Sequence, residues 1–493
     1  MELTNNEKRD NSDKAKKIVK ISLIISIMLF FIVLAIMFYY SYKDSKELKF
    51  YVDRNKTELA SDLLIFDTNT NKIYVSISDI AKIAGYEYYN GDYSKLTEEQ
   101  TKCYLNNKKE VAGFELGSNQ LYKIDPTDNT ANYEWYTIDE PVRTVNGKLY
   151  ATSTAIQTAC NISFAYNKEK NRIEVLTLPY LVTSYESIVT TQYGYSGLDS
   201  EYKNQKAILH NMLVVKKQES KDKYKYGVVS LDNKQIIGTK YDAIEYIEVA
   251  NDFYVTTDKK VGIMSSEGAQ KIEPNYDSIK VLDNELRLYC VKNSNLYGVL
   301  DKNGKRVLYL EYSKIGIDAS LFPNNDIKNN MLLFDNCIPV EKNGKWGIFD
   351  KNGNVLAETA FDSLGFVNGT KKDTVSNNLL TIPSIEAIVL CKDGKYGLMN
   401  SSGKYLAPCA FDKIYSVTNL GENKYYLEYN GTTYELDDYL KLNSENTNTG
   451  ENTNDETNTM DANTVFVDPN SSNIATVEEL KNVVENSNIT TVQ

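Results

Sequence analysis

One histidine, six cysteines and 67 acidic residues are what this 493-residue chain offers for chemistry. General acid–base catalysis needs paired groups whose environments move their pKa values, and nucleophilic catalysis needs a base within reach of a Ser or Cys. His210, the sole imidazole, stands in Ile208-Leu209-His210-Asn211 with no cysteine near it in sequence. It reads as a packed or surface residue rather than a base. Cys103, Cys160, Cys290, Cys337, Cys391 and Cys409 show no CxxC pair and no repeated spacing, whereas zinc sites need closely spaced thiolate or imidazole ligands. They read as free buried thiols, with a Cys391 to Cys409 disulfide as the alternative. No Walker-type loop or GxGxxG stretch is present to cradle phosphates. No catalytic, cofactor-binding or metal residue is assigned, no cofactor is expected, and the chain reads as a non-enzyme with its ligand-binding residues unknown.

Where acids do recur with fixed spacing, they belong to a structural pattern. A Gly is followed fourteen positions later by an aromatic residue in five copies, from Gly227 to Tyr241, Gly262 to Tyr276, Gly298 to Tyr312, Gly347 to Phe361 and Gly397 to Phe411. The aromatic is followed by Asp242, Asp277, Asp362 and Asp412 in four copies and by Ser313 in the third. A spacing kept through changing residues marks a unit that cannot absorb insertions, and such units stack into arrays.

Within each unit two apolar residues follow the Gly, and six positions after it comes a turn residue: Asn233, Gly268, Gly304, Gly353 or Gly403. Asn303-Gly304 and Asn352-Gly353 are strong two-residue hairpin signals. A second strand leads to the aromatic and then to Ile244, Ile279, Ile315, Leu364 or Ile414. The recurring Gly falls inside a strand, where Gly marks a bulge or a close backbone approach. The residue before it is Tyr226, Val261, Tyr297, Trp346 or Tyr396. Because Val261 breaks the row of rings, packing explains these positions better than a binding surface.

These residues resemble the WG-repeat family, in which K-(W/Y)-G-x-x-(D/N)-x-x-G precedes (P)-x-(Y/F)-D-x-(I/L). Lys345-Trp346-Gly347 through Gly353, with Phe361-Asp362, is the closest copy, and Lys395-Tyr396-Gly397 with Pro408 and Phe411-Asp412 is next. The resemblance implies a β-hairpin array, solenoid or propeller-like, used for binding or scaffolding, with no shared catalytic residue. The Ser313 departure reads the Asp elsewhere as a turn-former rather than a common ligand. Successive motif Gly residues lie 35, 36, 49 and 50 apart (positions 227, 262, 298, 347 and 397). The extra residues fall in Phe322 to Asn330 and Asn368 to Asn378, and such insertions are where specificity is expected.

The elements that carry this array are expected to be an anchor and a spacer. After a polar head at 1–20, Ile21 to Tyr40 is twenty residues without a charge, ending in Phe38, Tyr39 and Tyr40. A helix of that length spans roughly 30 Å, the bilayer hydrocarbon thickness. An aromatic rather than small-residue ending favours an uncleaved transmembrane anchor at 21–42 over a signal peptide. Lys14, Lys16, Lys17 and Lys20 against Lys43 and Lys46 favour the N-terminus inside.

From 48 to 180 a second repeat relates Lys72-Ile73-Tyr74-Val75 to Lys148-Leu149-Tyr150-Ala151, each strand running into a helix. This pattern resembles the amine-oxidase N-terminal-like stalk domain of bacterial envelope proteins. The resemblance implies a small α+β spacer or binding fold without oxidase activity.

The net charge of −12 does not mark a partner: beyond Leu442 nine acids face Lys481 alone, so eight excess negative charges sit in the tail. No basic patch argues for nucleic acid. The tail, 441–493, is low in complexity and acidic; from Asn443 to about Thr464 it collapses to Asn, Thr, Glu and Asp, and that segment is expected to be disordered. Thr476-Val477-Glu478-Glu479 has the form of a capping box. The expectation is therefore a mainly β, single-pass cell-membrane protein with its C-terminal domains outside, an array of five repeats at 212–440, and an envelope protein or cell-wall polymer as partner. A carboxylate-dependent wall hydrolase and a ligand-free mechanical spacer stand as alternatives.

Overall fold

The computed structural model describes residues 20, 22, 25–37, 39, 48–90, 101–126, 133–283, 287–323, 325, 327, 329–368, 377–419, 422–447, 466–467 and 474–475. Residues 1–19 of the polar head and the Thr476 capping box lie outside the described residues, as does most of the low-complexity tail. The chain is mainly β and divides into two compact units, one of 1–123 with 136–187 and one of 124–135 with 188–493.

In the first unit, residues 25–37 are helical and expose Ile25, Phe30, Phe31 and Met37, each about half to two-thirds accessible. Among the described residues no helix is long and apolar enough to cross a membrane. Several positions of the expected span, including Ile21, Tyr40 and Tyr42, lie outside the described set.

The internal repeat has a structural basis. Lys72–Ser76 pairs antiparallel with Lys148–Thr152, Val75 facing Ala151, so the two copies meet about a local two-fold axis. Each strand feeds a helix, Ile77–Ala84 or Ser153–Cys160, that buries Ile80 and Ala81 or Ile156 and Ala159 on one face. The first helix ends on Gly85 at φ 79°, and Asn161, at φ 48°, takes the equivalent left-handed position in the second copy. Asn tolerates that conformation because its amide finds local partners. Here the amide becomes a buried hub: Asn161 Nδ2 donates to Glu110 Oε1 (2.7 Å) and to the Tyr86 hydroxyl (2.8 Å), and Lys123 Nζ donates to Asn161 Oδ1 (2.9 Å). The absence of the second Gly therefore reflects an added role.

In the second unit, described residues form six successive antiparallel sheets, the first four four-stranded, the fifth five-stranded through the added pair Thr381–Ile382, and the sixth three-stranded, followed by a helix. Sheet 2, for example, orders Ala243–Ile247, Asp252–Thr257, Lys260–Ser265 and Gln270–Tyr276 in chain sequence. The motif Gly sits in the third strand, and the sequence unit is out of phase with the sheet. Its aromatic ends one sheet, and its next apolar residue, Ile244, Ile279, Ile315, Leu364 or Ile414, is buried in the first strand of the following sheet.

The spacing of fourteen is a cross-strand pair. Tyr226 faces Tyr241, Val261 faces Tyr276, Tyr297 faces Tyr312, Trp346 faces Phe361 and Tyr396 faces Phe411. Two positions on, Val228 faces Ile237 and Ile348 faces Ala357, so the fourth strand carries extra residues in a bulge. The bulged backbone passes directly over the Gly. A Cβ on Gly262 would stand 2.5 Å from the Ile272 carbonyl oxygen, and one on Gly347 2.9 Å from that of Ala357.

The turn expectation needs correction. Gly304 and Gly353 are left-handed, at φ 75° and 86°, but they close longer connections in which Asn303 and Asn352 are not. The two-residue turns with both residues at positive φ join the second and third strands instead: Asp258-Lys259, Ser294-Asn295, Asn343-Gly344, Asp393-Gly394 and Asn430-Gly431. The Gly six after the motif Gly serves stacking. Gly304 nests on Lys271 and Gly353 on Val307, where a Cβ would approach the carbonyl oxygens to 2.5 and 2.6 Å.

The core lies between sheets. Ile263 and Ile272 of sheet 2 share a cluster with Ile279, Tyr289 and Val291 of sheet 3, and Ile348 and Phe361 of sheet 4 with Leu390 and Met399 of sheet 5. The three strands of sheet 6, Lys413–Asn419, Glu422–Tyr429 and Thr432–Glu435, were not recognised as a unit because Tyr434 stands where a motif Gly would be. The helix Leu436–Thr447 covers this last sheet, its Tyr439 ring edge-on to Phe411 at 5.5 Å. The end of this helix enters the segment expected to be disordered, which begins at Asn443, and two paired dipeptides, Phe466–Val467 and Ile474–Ala475, lie beyond that segment.

The two classes of Gly give a direct check. Gly347→Ala forces backbone against backbone and is expected to cost about 2–3 kcal/mol. Gly344→Ala meets nothing within 4 Å but sits at φ 74°, and is expected to cost about 1 kcal/mol. Urea unfolding of both variants measures the contrast.

Candidate functional site

The recurring acids of the repeat are used as clamps. Asp242, Asp277, Asp362 and Asp412 each follow the aromatic at the passage from one sheet to the next. One carboxylate oxygen accepts from the Lys two residues before the motif Gly: Lys225 at 2.8 Å, Lys260 at 2.7 Å, and Lys345 and Lys395 likewise. The other accepts from the first N–H of the tight turn in the following sheet, Asp258 (2.9 Å), Ser294 (2.8 Å), Asp393 (2.6 Å) or Asn430 (2.7 Å). Each Asp thus ties a strand of its own sheet to a turn of the next. The third copy loses both partners together, with Leu296 for the Lys and Ser313 for the Asp; Ser313 Oγ instead donates to the Glu341 carbonyl at 2.9 Å.

The electrostatics agree with this role. Lys225 and then the Asp258 N–H hold Asp242 below the usual carboxylate pKa, and Lys260 and the Ser294 N–H do the same for Asp277. The Lys345 ammonium lowers Asp362 against partial burial. At Asp412 burial alone would raise the pKa, but Lys395 and the Asn430 N–H outweigh it. These groups are ionised acceptors at neutral pH.

The remaining chemical candidates are equally committed. The six cysteines are unbridged, five of them buried, and burial pushes Cys103, Cys160, Cys290, Cys337 and Cys409 up to about 12, far from a reactive thiolate. His210 is exposed, its ring 5.7 Å from that of Tyr246. The residues before the motif Gly, rings and Val261 alike, pack half-buried against the clusters between sheets. Among the described residues no group of three or more His, Cys, Asp or Glu is placed to hold a metal ion.

The two insertions, in contrast, come together. Asn325 of the first accepts at Oδ1 from the N–H groups of Leu380 (3.0 Å) and Thr381 (2.9 Å), and its Nδ2 donates to the Asn378 carbonyl (3.3 Å). Asn378 of the second donates from Nδ2 to the Leu321 carbonyl (2.8 Å) and accepts at Oδ1 from Asn368 N–H (2.7 Å). Phe322 is buried beneath them, lying over Gly365. Just beyond the first insertion, Phe334 and Asp335 are both left-handed, at φ 50° and 52°, a costly conformation for a bulky residue. Residues 324, 326, 328 and 369–376 of these loops lie outside the described set. Sequence spacing located both insertions; their mutual locking through two asparagines has no periodic signal.

Spacing also missed Asp252. It is fully buried, and both its oxygens accept from Lys271 Nζ at 2.8 Å while the Tyr289 hydroxyl donates to Oδ2 at 2.8 Å. Aligned on the pairing register, the same position carries Met212, Leu288, Cys337 and Ala387 in sheets 1, 3, 4 and 5. A signal existed, an acid where the other copies are apolar, but it becomes visible only once the second strands are aligned.

Comparison with known proteins supports the repeat. Residues 396–421 match the family described as WG containing repeat. No curated protein matches the chain. Solved structures align at low similarity: a eukaryotic initiation factor at 10% identity over 76% of this chain and 97% of its own, with a TM-score of 0.25, and apo AztD from Citrobacter koseri at 10% over 62% and 79%, with a TM-score of 0.22. A functionally unknown protein from Desulfotomaculum acetoxidans aligns at 9% over 53% and 92%, with a TM-score of 0.17. At these scores the alignments carry no argument.

The clamps predict an acid-labile array. Because the folded pKa values lie below the unfolded value near 3.9, the clamps contribute fully above that value and their contribution is lost as pH falls through the folded values. Thermal melts between pH 7 and pH 2.5 should show stability falling below about pH 4. Asp277→Asn combined with Asp362→Asn should flatten part of that fall. Restoring the third clamp with Leu296→Lys and Ser313→Asp is expected to stabilise by up to about 1 kcal/mol in the same melts at neutral pH.

Proposed function

We propose that this chain is a non-catalytic binding or scaffold protein of the bacterial cell envelope, anchored in the membrane by Ile21 to Tyr40. Its repeat array would stand outside the membrane and receive an envelope protein or a cell-wall polymer on the ridge made by the two insertions. The observation that carries this reading is the meeting of those insertions. Loops in two different sheets of an array need not touch, yet Asn325 bonds to the Asn378 carbonyl and Asn378 to the Leu321 carbonyl at the start of the first insertion. A loop pair held on a rigid scaffold is the usual arrangement of a binding surface.

Three further observations support it. The strained Phe334-Asp335 turn adjoins the ridge, and such strain persists where surrounding structure enforces it, as at ligand clamps. The recurring Lys and Asp residues serve the clamps and so are not available as a catalytic pair. The charge-free run and its terminal tyrosines suit a bilayer span with headgroup contacts. The first unit, which resembles the stalk domain, would act as the spacer between membrane and array.

Photocrosslinking in intact cells tests the reading. A photoreactive residue at the exposed positions 323 or 368 is expected to give an adduct with an envelope protein or wall polymer. One at 234, on the first sheet and also exposed, is expected to give none. Equal labelling at all three, or none at 323 and 368, overturns the ridge assignment. Release of the chain from membranes by alkaline carbonate would overturn the anchor.

A further inference from the structure

A cleft of about 400 Å³ opens between sheets 2 and 3, and Lys271, one of its lining residues, pairs with the fully buried Asp252. That size lies within the range of small-molecule sites. Replacing an apolar core position with a carboxylate is costly unless the charge is fully partnered. Here Lys271 and Tyr289 partner it, and both are thereby held in place. The Arg287 guanidinium reaches toward the same carboxylate at 4.0 Å, from a residue at φ 52° that is two-fifths exposed.

The rim is rich in unspent hydrogen-bonding groups. Among the described residues the side chains of Gln270, Lys302 and Asn303, all lining the cleft, make no hydrogen bond. Glu267 faces the same space, its carboxylate held ionised by Ser265 and its own backbone N–H. With Lys271 paired to the buried Asp252, the remaining charged lining residues are Arg287 and Lys302 against Glu267, so the cleft carries one excess positive charge in a chain whose net charge is −12.

We propose that this cleft binds a small hydroxylated organic anion of the sugar-acid class, with Arg287 and Lys302 on its carboxylate and Gln270, Asn303 and Glu267 on its hydroxyls. A guanidinium offers the planar fork that a carboxylate matches. The two amides each provide a donor and an acceptor, and the Glu267 carboxylate accepts from a hydroxyl while repelling a compact polyanion. The counterparts of Asp252 in sheets 1, 3, 4 and 5 are apolar and cannot hold a lysine in this way, so the arrangement belongs to one junction of the array. It does not rest on the ridge described above, and either assignment can fail alone.

Calorimetric titration of the purified full-length chain with glucuronate, glucose and inorganic phosphate tests this directly. Glucuronate is expected to bind at least about ten-fold more tightly than either of the others, the worth of one charge-assisted pair. Arg287→Gln and Lys302→Gln should each weaken it about ten-fold while leaving the melting temperature unchanged. If Arg287→Gln lowers the melting temperature, Lys302→Gln alone decides, since that side chain is exposed. No glucuronate binding, or unchanged affinity in Lys302→Gln, overturns the site. Phosphate binding as tightly as glucuronate overturns the sugar-acid class.

Discussion

No sheet of the array buries its apolar face alone; each does so against the next. Val255 and Phe253 of sheet 2 share a cluster with Val214 and Val228 of sheet 1, and Val299 and Leu308 of sheet 3 with Ile338 and Val340 of sheet 4. Everything else in the second unit follows from keeping neighbouring sheets at that contact distance. Backbone nests on backbone at Gly304 and Gly353, the motif aromatic closes one sheet as its following apolar residue opens the next, and the Asp between them ties the two together. Stability in such arrays is a sum of repeat and interface contributions, so a residue at the passage between sheets acts on two units at once.

Hydrophobic contact is non-directional, and by itself it would let sheets slide or rotate on each other. The Lys–Asp–turn clamp supplies direction. Its ion pair is half exposed in several copies, as with Lys260 and Asp277, so its Coulomb energy is small. Its value lies in fixing which turn amide meets which strand. The junction between sheets 3 and 4 does without it and uses other polar ties: Ser313 to the Glu341 carbonyl, and Lys351 to the largely buried Asp283. The first insertion follows within sheet 4, between its first strand Lys314–Ile315 and its second strand Ile338–Lys342, so departure from the repeat and addition of a loop occur close together.

The first unit solves a related problem by symmetry. Pairing two copies of a strand and helix about Val75 and Ala151 joins two small apolar faces into one core. The departures from symmetry are where polar groups enter, as at Asn161 with Glu110 and Lys123. Buried polar networks of this kind hold one arrangement when every member is satisfied.

Sequence alone determined the β repeat, its five copies, the bulge at the motif Gly, the structural role of the repeated Asp, and the places of both insertions. Those features are local or periodic, and a Gly that cannot be replaced or a spacing that cannot vary is visible without coordinates. It misjudged the turns, because Asn303-Gly304 carries the composition of a tight hairpin while Ser294-Asn295 and Asp258-Lys259, which adopt one, do not. The sixth sheet was hidden because the helix Leu436–Thr447 replaces its fourth strand and removes the need for the Gly. Tertiary structure alone decided that Asn325 and Asn378 meet, that in four copies the Lys two residues before the motif Gly is the partner of the Asp seventeen residues later, and that the buried Asp252 holds Lys271 beside a cleft. Each of these depends on which strand lies beside which, and pairing between distant segments is set by packing of whole sheets rather than by any residue's own preference.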